Sequence, residues 1–169
     1  MRVSRFTLAV LATSFLLPLI SCNEDPTGPG VGPGNVLEAR VNGTTIDVGT
    51  DIANFNTYTI ASKDVNFGGT LVGTPTKTIT VRFTYDIDKG PFPKTLGGDS
   101  LSIIYVETSA SGTLNYDCPT TGGSCTLTVT GSNGTVVDGT FSATLAERND
   151  PTKTVSVTNG KFSARLTRQ

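Results

Sequence analysis

Histidine is absent from this chain of 169 residues, and its absence removes several kinds of active site at once. Ser-His-Asp and Cys-His arrangements need an imidazole base, and many zinc sites need an imidazole ligand. Histidine is also the side chain whose ordinary pKa lies closest to neutral pH. Enzymatic chemistry in this chain would therefore have to use carboxylates, lysine, tyrosine or backbone groups.

Tryptophan is also absent, methionine occurs once, and only 16% of the residues are charged. Thirteen cations against 14 acids give a net charge of −1, and the cations form no basic cluster. Nucleic-acid binding and electrostatic docking on anionic lipid both need concentrated Lys and Arg, so the composition argues against both. The 19 glycines and the abundant Thr, Ser and Val favour short strands joined by tight turns.

The N-terminal segment is typical of an export signal. Arg2 and Arg5 precede an apolar run over residues 6–20, which has secretory length and is too short for a stable membrane span. Residues 19–22, Leu-Ile-Ser-Cys, resemble the lipobox of bacterial lipoproteins, whose cysteine is acylated and becomes the first mature residue. The resemblance implies lipidation at Cys22 and attachment to the bacterial cell envelope, at the periplasmic or the surface face of the outer membrane.

The rest of the chain divides into a linker and one folded domain. We assign residues 1–21 to the signal peptide and 22–35 to the lipidated cysteine and a flexible Pro/Gly linker. Residues 36–169 form a single all-β domain in this division. Without Arg2 and Arg5 the mature chain has 13 − 2 = 11 cations against 14 acids, a net charge of about −3.

Alternation of apolar and polar residues predicts the fold class. In residues 76–85 the apolar side chains from Ile79 to Tyr85 fall on one face and the polar ones on the other, as in a strand with one buried face. Residues 135–146 repeat the pattern with Val137, Phe141 and Leu145. Similar segments along the chain predict an antiparallel β-sandwich of about nine to ten strands joined as a meander. A closed or partly open β-barrel is the alternative.

Glycine positions predict two kinds of local feature. Asn42 and Gly43 stand between two short β-prone runs, which indicates a two-residue hairpin turn. Glycines inside strands indicate bulges, one at residues 68–69 and one at residues 159–160.

Several short motifs resemble a family of small bacterial lipoprotein domains of unknown function. They are the early turn at residues 39–43, the terminal strand pair at residues 139–143 and 157–162, and the glycine-aromatic-proline loop at residues 90–93. The resemblance implies an all-β fold and an envelope location, and it implies no activity.

Cys118 and Cys125 are the cysteines that remain once Cys22 is acylated. An even pair in an oxidising compartment, on either side of a Gly-Gly turn, predicts a disulfide that closes a hairpin tip. Neither histidine nor a second cysteine pair is present to complete a tetrahedral metal site, so we expect no metal and no cofactor.

The loop after residues 76–85 is the candidate ligand loop, and its candidate residues are Asp86, Asp88 and Phe92. Asp86, Asp88 and the glycine that follows match the first positions of a calcium loop, but no glutamate closes it. The two carboxylates, with Asp99 or Glu107, also permit acid/base work on a glycan.

Three functions follow from these patterns, in this order. The first is a lipid-anchored, non-catalytic envelope domain that binds a protein or glycan ligand. The second is a structural or assembly subunit, of adhesin or pilin type, whose sheet edges pair with neighbours. The third is a carboxylate-dependent enzyme that acts on glycans.

Overall fold

The computed structural model describes residues 34–49, 56–118 and 124–169. The predicted signal peptide, Cys22 and most of the linker lie outside the described residues. No helix among the described residues is long and apolar enough to cross a bilayer. Twelve strands run in the order β1 (Val36–Val41), β2 (Thr44–Asp47), β3 (Thr57–Thr59), β4 (Asp64–Leu71), β5 (Thr76–Thr84), β6 (Lys94–Gly97), β7 (Leu101–Ser109), β8 (Gly112–Asp117), β9 (Cys125–Ser132), β10 (Val136–Glu147), β11 (Thr154–Arg165) and β12 (Thr167–Arg168).

The prediction of an all-β fold is confirmed. The strands form two layers that face each other across one core: a first sheet in the order β12-β3-β4-β5-β7-β8, and a second sheet in the order β6-β9-β10-β11-β1-β2. Among the described residues, the two sheets are hydrogen-bonded to each other only where β8 pairs with the end of β10, through two residue pairs. The described strands do not close into a barrel. Within the described residues, twelve strands replace the predicted nine to ten, because the short strands β6 and β12 have too few residues to show alternation.

The strands do not follow each other as the predicted meander. The first strand, β1, pairs with β11, and the C-terminal β12 lies parallel to β3. Strand β6 pairs with β9, across the hairpin formed by β7 and β8. Alternation shows which face of a strand is buried but carries no information on distant partners, so the meander prediction is wrong.

Alternation correctly identified the core face of the longest strands. In β5, Ile79, Val81 and Phe83 are buried, and in β10, Phe141 is buried between Val137 and Leu145. Apart from Val136, the buried hydrophobic residues described between Leu37 and Leu166 form a single cluster. Four phenylalanine rings join the layers at its centre, with Phe67 and Phe83 from the first sheet and Phe141 and Phe162 from the second.

The predicted hairpin turn and one of the two predicted bulges are confirmed. Asn42 (φ 47°) and Gly43 (φ 82°) both adopt the left-handed conformation that a two-residue turn of this kind requires. In β11, Gly160 lies opposite Phe141 and Val157 opposite Ala143, so the two intervening β11 residues face one residue of β10. This is a bulge.

The bulge predicted at residues 68–69 is wrong, because the register between β4 and β5 is unbroken. Gly69 is needed for a different reason, because the backbone that follows β2 passes in direct contact with it. A Cβ there would lie 2.6 Å from the carbonyl oxygen of Val48 and closer still to that of Gly49. Gly69 is thus a site of close backbone approach.

Cys118 and Cys125 form the predicted disulfide, with their Cα atoms 6.0 Å apart. The prediction that the bridge closes a hairpin tip is wrong, because β8 and β9 do not pair with each other. Both run antiparallel to the same edge of β10, β8 beside residues 146–147 and β9 beside residues 137–143. The bridge therefore lies where the chain passes from the first sheet to the second.

Candidate functional site

The predicted ligand loop follows β5, and both of its carboxylates are paired with cations. Asp88 receives two hydrogen bonds from the Arg168 guanidinium, each 2.8 Å long. Asp86 lies 3.5 Å from the ammonium of Lys63 and accepts a hydrogen bond from the backbone N–H of Asp88. The hydrogen bonds from Arg168 hold the pKa of Asp88 below its usual range.

Tyr58 lies beneath these charges and joins them to the core. Its ring is fully buried, with the Arg168 guanidinium 5.2 Å and the Lys63 ammonium 5.9 Å from the ring centroid. Burial, followed by the nearby charge of Asp88, raises the pKa of Tyr58. Lys63, Arg168 and Tyr58 thus form a clasp that holds β12, at the C-terminus, to the loop. Within this clasp, a cation neutralises the charge of each loop carboxylate, Asp86 and Asp88.

Phe92 packs within the loop. Its ring lies edge-on to that of Tyr85, with centroids 5.9 Å apart, and the Tyr85 hydroxyl donates a hydrogen bond to the carbonyl of Pro91. Phe92 is half-buried against the core. The structure therefore places Asp86, Asp88 and Phe92 in one loop, but it uses each of them to hold that loop in place.

Of the other carboxylates considered for glycan chemistry, Asp99 is exposed in the short 3-10 helix Gly98–Ser100, beside the end of β5, whereas Glu107 is remote from the loop. Glu107 lies opposite Lys77, at the start of β5, whereas the loop begins just after Thr84. A strand rises about 3.4 Å per residue, so roughly 25 Å separates these positions. Glu107 instead accepts a hydrogen bond from Tyr105, whose pKa is raised by burial and then by that bond. Within the described residues, no cluster of three or more His, Cys, Asp or Glu side chains could hold a metal ion.

One buried acid was missed in the sequence. Glu147 is 6% exposed, lies opposite Tyr116 of β8, and has the Lys153 ammonium 3.6 Å away. Its side chain continues the inward alternation of Phe141 and Leu145, and that signal could have identified it. The row from Tyr105 through Tyr116 to Glu147 supports the junction of the two sheets.

The outer face of the second sheet carries a row of hydroxyl groups. Thr95 of β6, Thr128 of β9 and Thr140 of β10 lie directly opposite one another, and the first two hydroxyls are 3.1 Å apart. The row continues to Lys161 of β11 and Glu38 of β1, which form an ion pair of 2.7 Å. Alternation in the sequence predicts this face only as the polar side of several strands. Which hydroxyls lie side by side depends on the register between the strands.

A depression of about 420 Å³ interrupts this face where β9, β10 and β11 meet. The bulge in β11 helps to shape it: Asn159 adopts a left-handed conformation (φ 51°), and Gly160 presents no side chain. A Cβ at Gly160 would lie 2.7 Å from ring atoms of Phe141, so the glycine leaves room for that ring on the core side of the sheet. The depression is lined by Thr126, Thr128, Thr140, Phe141, Ser142, Asn159, Gly160 and Lys161.

The lining is almost free of net charge. Lys161 is its one ionisable side chain among the described residues, and Glu38 neutralises that cation. Four hydroxyl side chains and one amide belong to the lining. The volume lies within the usual range of small-molecule sites. The arrangement can donate and accept hydrogen bonds, but it offers no base, nucleophile or metal ligand set.

Comparisons with known proteins give no family assignment. No protein-family model, no curated protein and no solved structure matches this chain. The resemblance to small bacterial lipoprotein domains therefore stays a prediction.

Proposed function

We propose that this protein is a lipid-anchored β-sandwich of the bacterial cell envelope that binds a ligand and does not catalyse a reaction. The observation that carries the binding role is the neutral, hydroxyl-lined depression on the second sheet. It offers hydrogen bonds without reactive groups. Of the carboxylates predicted as catalytic candidates, Asp86 and Asp88 are paired within the clasp and Glu107 is roughly 25 Å from it. Asp99 is exposed and does not line the depression.

Two features of the described residues are compatible with the proposed anchor. The described residues begin at one end of the second sheet, where the N–H of Gly34 donates a hydrogen bond to the Ser163 hydroxyl, 2.9 Å away. The disulfide between Cys118 and Cys125 is compatible with export to an oxidising compartment.

Assembly through sheet edges receives less support. The three edge strands β2, β6 and β12 have four, four and two residues. Short edges offer few unpaired backbone groups to a neighbouring chain and are a common protection against edge pairing.

A thermal-shift screen of the full chain tests binding against assembly. We expect a saturable rise in melting temperature with one class among glycans, divalent cations and envelope components, because a ligand that binds only the folded state stabilises it. The absence of any such shift, together with oligomers whose size grows with protein concentration, would replace binding by the assembly function. Replacement of Cys22 by serine tests the anchor separately: the protein should leave the membrane fraction or stay unprocessed.

A further inference from the structure

The depression on the second sheet has the chemistry of a site for a polyhydroxylated ligand. We propose that it binds a short segment of neutral saccharide, an inference that rests on the proposed binding function and names its ligand class. A hydroxyl can donate one hydrogen bond and accept others, so hydroxyl groups on both sides can pair in several orientations. Thr126, Thr128, Thr140 and Ser142 present such groups on two adjacent strands.

The lining matches the polar rim of a sugar ring. A saccharide has apolar C–H faces and a polar rim. The depression presents hydroxyl and amide groups that can pair with that rim. The Phe141 ring is only 4% exposed and lies on the core face of β10, so the depression offers no aromatic stacking platform. We therefore expect modest affinity, carried mainly by hydrogen bonds.

The register of the strands spaces the hydroxyls evenly. Thr128 and Thr140 are direct partners on adjacent strands, which places their backbones about 4.8 Å apart. Thr126 and Thr128 are two residues apart on β9, which is about 6.8 Å along the strand. Such a grid lets one ligand contact several hydroxyls at once, and the open lining admits part of a longer chain.

Charge distinguishes this ligand from the alternatives. An anionic ligand would need an available cation, but the Lys161 ammonium lies 2.7 Å from Glu38. A divalent cation would need carboxylate or other oxygen ligands, and no carboxylate lines the depression. A neutral hydroxylated ligand needs neither.

Amide chemical shifts of the full chain test the proposal. The protein is kept in a detergent without a sugar headgroup and titrated with maltohexaose, cellohexaose and triacetylchitotriose. An oligogalacturonate serves as the anionic comparison. We expect at least one neutral probe to shift the amides of residues 126–128, 140–142 and 159–161, and to bind more tightly than the anionic one.

Matched variants show whether the hydroxyls carry the binding. Thr128→Val should lower the affinity about threefold to tenfold, as expected for the loss of one hydrogen bond, and Thr128→Ser should restore most of it. Thr80→Val, at a similarly half-buried threonine on the outer face of the first sheet, should leave the affinity unchanged.

Three results would overturn the proposal: no shift with any neutral probe at millimolar concentration, shifts confined to other residues, or equal affinity of Thr128→Val and the parent protein. Each of these leaves the broader binding function standing if another ligand class raises the melting temperature. Failure of that whole screen would instead remove both.

Discussion

Phe162 links the two layers of the sandwich, and its removal should cost more than most single changes. The side chain is 3% exposed, and its ring centroid lies 4.7 Å from that of Phe67 and 6.4 Å from those of Phe83 and Phe141. Replacement of a buried phenylalanine by alanine typically costs about 3–5 kcal/mol. Each favourable aromatic pair adds about 0.5–1.5 kcal/mol to simple burial. We therefore expect Phe162→Ala to lower the free energy of unfolding by about 4–5 kcal/mol.

Urea denaturation measures this loss directly. With a slope of about 2 kcal/mol per molar urea, a loss of about 4 kcal/mol moves the midpoint down by roughly 2 M. Because a domain of this kind has a total stability of about 5–15 kcal/mol, the variant should be close to the limit of folding. Thr158→Ala, at an exposed position of the same strand, is the control and should shift the free energy by less than about 0.5 kcal/mol.

Two outcomes would contradict the placement of Phe162 between the sheets. Equal small shifts for Phe162→Ala and Thr158→Ala would refute the placement of the ring between the sheets. If the alanine variant does not fold, Phe162→Leu keeps part of the contact and should lose about 1–3 kcal/mol. A leucine variant as stable as the parent protein would contradict the same placement.

The remaining predictions concern a close contact, the disulfide and the clasp. Gly139→Ala should lower the unfolding free energy by at least about 1–3 kcal/mol in urea melts, because the new methyl group would overlap a carbonyl of β9 and a core ring; an unchanged midpoint would contradict this contact. Non-reducing mass spectrometry should find Cys118 linked to Cys125, and free alkylation of both thiols without reductant would exclude the bridge. The bound Arg168 lowers the pKa of Asp88 in the folded state, so this stabilisation is present above the ordinary carboxyl pKa and is lost as pH falls below about 4. Asp88→Asn should therefore show a shallower loss of stability below pH about 4 than the parent protein, and identical acid melts would contradict the role of this pair.

Sequence patterns correctly predicted the features that depend only on residues close together in the chain. Alternation of apolar side chains follows from the pleat of a strand, so it correctly identified the buried face that carries Phe141. The turn at Asn42 and Gly43 and the bulge at Asn159 and Gly160 follow from the conformations that these residue types tolerate.

Features that depend on partners far apart along the chain could not be predicted from the sequence. The carboxylate of Asp88 was read as an available ligand, but its partner Arg168 is 80 residues away along the chain. The depression on the second sheet needs the register of three strands at once, which no single segment contains. Alternation gives the inward direction of Glu147, but its contact with Tyr116 depends on β8 crossing from the first sheet to meet β10.

Intact mass of the protein extracted from bacterial membranes tests the central proposal most directly. The account predicts a mature chain that begins at Cys22 and carries the added mass of a lipid, with the preceding 21 residues removed. A full-length chain, or one cleaved at another position without lipid, would contradict the anchored envelope protein proposed here.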